Sequence, residues 1–196
     1  MKKLWEHIRF IFIRSWNLIS ANAEEWEKIE EESQDTNKRF LIPFVCICCG
    51  LLLLSGLLRG KPIHVAFLHP ILWAIIFLLT IPFTLWTSRF LLRKIYDIGI
   101  SDHLNKKIIG YSFTPVLLVK LIFALFPNFI LAPVFVLLVP YILKFAMDTL
   151  LSIDDLLLKN EQKYYSYLLT ISLSIIFTPF VIEFALKKIV FQNVEF

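Results

Sequence analysis

The chain has 196 residues, of which 58% are apolar, 18% are charged and 19 are phenylalanine, with a mean hydropathy of +0.71. A soluble domain is about 45–50% apolar, so these proportions exclude an ordinary water-soluble fold. The formal charge of +4 sits in the connections between apolar runs, without a basic helix interleaved with base-stacking aromatics, so nucleic acid is not an expected partner.

The apolar runs are continuous and do not alternate, which reads as helices and not as barrel strands. In hydrocarbon every backbone N–H and C=O must be satisfied inside its own segment. The expected fold class is all-α: a polytopic membrane helical bundle of five transmembrane helices with an N-terminal amphipathic interfacial helix. Its first partner is the lipid bilayer.

Residues 1–39 precede the first span and read as cytoplasmic amphipathic and acidic helices. Trp5, Ile8, Phe12, Trp16 and Ile19 recur at spacings of three and four, a stripe suited to the membrane interface. Glu6, His7, Arg9 and Arg14 interrupt the uncharged core that a secretory signal needs. Asn22 with Glu25 has N-cap spacing. It opens the acidic segment AEEWEKIEEESQ, whose carboxylates are expected on a solvated face beside a narrow edge of Trp26 and Ile29.

Residues 40–190 hold the spans. The first is expected over Phe40–Leu58 and the second over Val65–Trp86, followed by a basic stretch to Gly99 and a loop, SDHLNKK. The run Ile108–Leu151 contains three charges, Lys120, Lys144 and Asp148, and is too long for one crossing. Pro127-Asn128 is turn chemistry. It divides the run into Ile108–Phe126 and Phe129–Met147, each roughly 28 Å long as a helix. Ser152 and Asp155 have cap-like spacing, and a polar linker leads to the fifth span, Tyr167–Leu186. Residues 191–196 form a short external tail.

Lysine and arginine in the connections number fourteen on the N-terminal side and four on the other. By the positive-inside rule the N-terminus is cytoplasmic and the C-terminus outside. Seven of the nine prolines fall inside spans, as kinks or hinges.

Charge inside a membrane is costly and points to function. By helical rise, Lys120 and Glu183 lie at about the same depth, roughly 10 Å or less from the outer face. They are a candidate pair across the third and fifth spans. Lys144 and Asp148, four residues apart, are an expected interfacial pair. Cys46, Cys48 and Cys49 read as small packing residues. His64 and His69 do not share a helix face, and no metal site follows from them. Neither H-E-x-x-H, G-x-S-x-G nor a phosphate-binding loop occurs, so neither a catalytic residue nor a cofactor is expected.

The run GYSFTPVLLVKLIFALFPNFILAPVFVLLVPYIL resembles the bacterial branch of the Yip (Ypt-interacting protein) domain family. The match is carried by Tyr111, Ser112 and Pro115 opening the third span, by Pro127, and by Tyr141 closing the fourth. WNLISANAEEWEKIEEE is similar to the family's pre-membrane helix, with alanine and asparagine where the family commonly has a proline turn. The resemblance implies five spans, a cytoplasmic N-terminus and the bacterial inner membrane. Eukaryotic members bind Rab GTPases in vesicle traffic, whereas the bacterial branch has no settled activity. The expected function is therefore non-enzymatic: membrane organisation or partner binding, with a homo-oligomer or a protein partner. The alternative is a small transporter or channel using Lys120, Glu183 and the kinked spans.

Overall fold

The computed structural model describes residues 2–20, 23–32, 36–95, 101–126, 128–150 and 161–191. They contain helices and turns and, among the described residues, no strand. Eight α-helices run in order: α1 (Lys2–Ile19), α2 (Ala23–Glu31), α3 (Ile42–Leu58), α4 (Ile63–Phe90), α5 (Asp102–Ser112), α6 (Thr114–Leu125), α7 (Leu138–Leu150) and α8 (Glu161–Phe191). Five helical stretches are long and apolar enough to cross a membrane, as an integral membrane protein requires. The Asn22 and Ser152–Asp155 caps, the Pro127 side of the hairpin turn and the end of the tail lie outside the described residues.

Each crossing departs from its expected bounds for a local reason. The first begins two residues early, in a π-helical turn over Asn37–Leu41, and Pro43 follows in the first turn of α3, where a missing N–H costs nothing. The second extends through α4 into a further π-helical turn, Leu91–Ile95. The turn between them needs Gly60 at φ +69°, a left-handed conformation that glycine alone adopts freely.

The third crossing, Asp102–Leu125, corrects the expected SDHLNKK loop. Ser101 caps α5 by accepting from the Leu104 amide at 3.2 Å, so the polar residues become the first turns of the span. Pro115 then breaks the rod into α5 and α6. A proline at 115 leaves the Tyr111 carbonyl without its helical donor, and the Thr114 hydroxyl donates to that carbonyl at 2.6 Å. The kink is thus satisfied from within.

The fourth crossing starts at Ala132, not Phe129. Its first six residues, Ala132–Leu137, are a 3-10 helix with Pro133 in the opening turn, and Pro140 lies in the first turn of α7. The steeper rise of a 3-10 helix lets 19 residues reach roughly 30 Å. The fifth begins at Glu161, because part of the expected linker is helical.

The third span is central: 72% of its most apolar window is buried, against 22% for the first and fifth. Helix α3 packs on α4 and α6, α4 on α8, and α7 on α5 and α8. Phe44, Phe77, Phe113, Leu117, Ile142 and Ile171 meet in the core. Helices α1 and α2 close one end, α2 lying on α7. Cys48 points its thiol at the Leu117 carbonyl (3.6 Å) and Cys49 at the Pro70 carbonyl (3.4 Å). Both act as packing groups, as expected.

Gly110 sets how closely α5 approaches the start of the first span. A Cβ there would meet Thr36 Cγ2 at 3.0 Å and Leu41 Cδ1 at 3.2 Å. We expect Gly110→Val to destabilise the bundle by about 1–3 kcal/mol through overpacking, read as a lowered melting temperature in detergent. An unchanged temperature would show the packing there to be loose.

Candidate functional site

Two polar centres lie at opposite ends of the bundle. The first is built around Arg14 of α1. Ile11, Arg14, Ser15 and Leu18 share the inner face of α1 and are all buried, so a cation sits in what is otherwise an apolar stripe. An isolated buried charge is very costly, and four side chains offset it here. The Arg14 Nε lies 2.5 Å from Glu25 Oε1, an ionic contact without hydrogen-bond alignment. Its Nη1 lies 2.7 Å from Glu32 Oε1 and donates to the Tyr111 hydroxyl at 3.1 Å. Phe10 places its ring 4.8 Å from the guanidinium carbon.

The anionic side is held equally well. Tyr111 donates its hydroxyl to Glu32 Oε2 at 3.0 Å. Arg39, at the start of the first span, lies 3.1 Å from Glu32 Oε1. Asn17 donates to Glu25 at 2.8 Å. Two arginines therefore face two glutamates, and the centre is neutral as a whole. Burial works against the charge on Arg14, yet Tyr111, Glu32 and Glu25 outweigh it and raise its pKa above the ordinary value. Around this centre, Lys107 donates to the Glu30 carbonyl at 2.7 Å, and Trp26 sets its edge against Tyr111 with ring centres 6.1 Å apart.

The expected solvated face of α2 is thus corrected in part. Glu24, Glu27, Glu30 and Glu31 are exposed, but Glu25 is buried and Glu32 nearly so. Sequence reasoning also passed over Arg14. The signal was present: Ile11, Arg14 and Leu18 are spaced three and four apart, a second stripe beside the aromatic one.

Of the residues that carried the family resemblance, Tyr111 stands at this centre. Ser112 donates to the Ile108 carbonyl at 2.7 Å and Pro115 makes the kink; neither joins the ionic network. A smaller buried cluster ties α4, α5 and α8 together, where Ser88 donates to Asn105 Oδ1 at 2.6 Å and lies 2.7 Å from the Tyr167 hydroxyl. Asp148 accepts from Tyr164 at 2.6 Å, and among the described residues no ion pair joins it to Lys144. Asp102 pairs with Arg89 at 2.9 Å, and His103 lies 3.2 Å from the Glu32 carbonyl.

The second centre is a cavity of about 250 Å³ at the far end. Lys120 and Glu183 both line it, so the two intramembrane charges chosen by depth do converge on one place. Ser55, Arg59, Lys61, His69 and Trp73 complete its polar lining. The Lys120 ammonium lies over the face of Trp73, 3.5 Å from the ring centre, a favourable cation–π position. The Trp73 indole donates to His69 Nε2 at 3.2 Å, which fixes the ring beneath the lysine. Arg59 donates to the Ala124 carbonyl at 3.1 Å.

No known protein family, curated protein or solved structure matches the chain.

The Arg14 centre makes a stability prediction. Arg14→Met leaves two buried carboxylates short of a cation and should cost about 3–5 kcal/mol. Tyr111→Phe removes two hydrogen bonds and should cost about 1–3 kcal/mol. Adding Glu25→Gln and Glu32→Gln to Arg14→Met should recover part of the loss. Denaturation in detergent measures all of these. Equal stability of Arg14→Met and the parent would remove the network from any account of the fold.

Proposed function

We propose that this chain is a non-enzymatic, Yip-like protein of the bacterial inner membrane. It organises the membrane, or a partner on it, at the end that carries α1 and α2. The fourteen-to-four bias of basic residues supports a cytoplasmic position for that end. One observation carries the reading. Helix α1 spends its inner face on the bundle, yet beside Glu6 and Arg9 its outer face exposes four large apolar side chains: Trp5 is 68% exposed, Trp16 71%, Ile13 49% and Phe12 38%. Large apolar side chains set among charges suit a boundary between water and an apolar phase. Tryptophan on a helix lying along a membrane surface belongs at the headgroup boundary. The buried arginine centre then holds this surface in a fixed relation to the third span.

The cavity at Lys120 favours a second reading, a small transporter, because it brings solvent-sized space to an intramembrane charge. The cavity lies at one end of a bundle whose other end is filled by the Arg14 centre, which supports binding over passage.

Single-tryptophan variants keeping Trp5 or Trp16, in bilayers with brominated acyl chains, test the main reading. We expect strong quenching from bromines near the headgroups and weak quenching from those at the bilayer centre. Emission like that of indole in water, insensitive to every brominated lipid, would refute an interfacial α1. Tags in the Asn128 turn and after Phe196 should both be accessible from outside the cell. A cytosolic Asn128 tag would reverse the orientation.

A further inference from the structure

We propose that the cavity lined by Arg59, Lys61, Lys120 and Glu183 is a binding site for a phosphate-bearing anion. This goes beyond the reading of α1 and stands on the cavity alone. The charge balance is the first argument. Three cations face one carboxylate around a cavity of about 250 Å³; Arg59 and Lys61 stand at its exposed rim and Lys120 is half-buried within the third span, so the site carries an excess of positive charge. An anion corrects it.

Geometry is the second argument. Arg59 ends α3, Lys61 lies in the following turn, and Lys120 is five residues before the end of α6. That places Lys120 roughly 8 Å below the helix end, so the three cations run from the outer end of the bundle into the third span. The cations are also positioned before any ligand arrives. The Ala124 carbonyl anchors one guanidinium nitrogen of Arg59, leaving a planar fork suited to phosphate oxygens. Trp73, itself oriented by His69, holds the Lys120 ammonium over its face. Val65 and Ala66, in the first turn of α4, line the same cavity, so the positive end of that helix dipole adds to the field. Glu183 is the one carboxylate among the described lining residues, and an incoming phosphate competes with it for the cations.

The same chemistry is carried by inorganic phosphate and by an anionic phospholipid headgroup, and the experiment separates them. The full chain in phosphate-free maltoside micelles is titrated by calorimetry with inorganic phosphate. A parallel titration uses dihexanoyl phosphatidylglycerol, with dihexanoylglycerol as its phosphate-free counterpart. Saturable heat from both phosphate probes, or from phosphate alone, supports a site open to soluble anions. Heat from the phospholipid alone supports a headgroup site. We expect Arg59→Gln and Lys120→Met each to weaken binding about tenfold. Glu183→Gln should strengthen it several-fold, a gain that unfolding cannot imitate. Absence of heat from both phosphate probes would overturn the proposal. So would equal heat from dihexanoylglycerol, or affinities unchanged in all three variants.

Discussion

A guanidinium buried between an amphipathic helix and a membrane span is the constraint on which one half of this molecule depends. Arg14 cannot be buried alone. It is tolerated because Glu25, Glu32 and Tyr111 reach it from α2, from the residue that follows α2, and from α5. Arg39 then balances the second carboxylate. Tyr111 lies 97 residues from Arg14 and 79 from Glu32, so its bonds close long loops. Helix α2, with nine residues, is too short to persist on its own. Its helicity comes from docking Trp26 and Ile29 and from the ions around Glu25.

The same rule, that polar groups in an apolar surround must be answered locally, accounts for the spans. The Thr114 hydroxyl answers the carbonyl that Pro115 orphans. Thr80 donates to the Ile76 carbonyl within α4 at 2.7 Å. Ser88, Asn105 and Tyr167 answer one another across three helices. In the third span Asn105 meets Ser88, Lys107 the Glu30 carbonyl and Ser112 the Ile108 carbonyl, which is why it can carry them and still be the most buried crossing. The first and fifth spans face outward mainly with leucine, isoleucine and phenylalanine, where lipid asks nothing more of them.

How much of this was legible in the sequence follows from the range of the forces involved. Hydropathy is a local sum, so five crossings and an amphipathic N-terminal helix could be read directly. Depth along a helix is simple arithmetic, and it brought Lys120 and Glu183 to one cavity. What escaped was burial imposed from a distance. SDHLNKK has the composition of a loop, and it became helix and core because α2 covers Lys107 and because Asn105 meets Ser88. Glu25 looked solvated because its cation, Arg14, lies on another helix. The start of the fourth crossing moved because Pro133 favours a 3-10 turn, a choice that apolar character does not encode.

The central claim is that α1 and α2 are one rigid unit with the third span. Amide hydrogen exchange of the unaltered chain in lipid nanodiscs tests it most directly. The account predicts that the amides of Ile11–Leu18 and of Trp26–Ile29 exchange as slowly as those of Ile108–Tyr111. Exchange of the α1 and α2 amides at the rate of an unstructured peptide, while the spans stay protected, would contradict it.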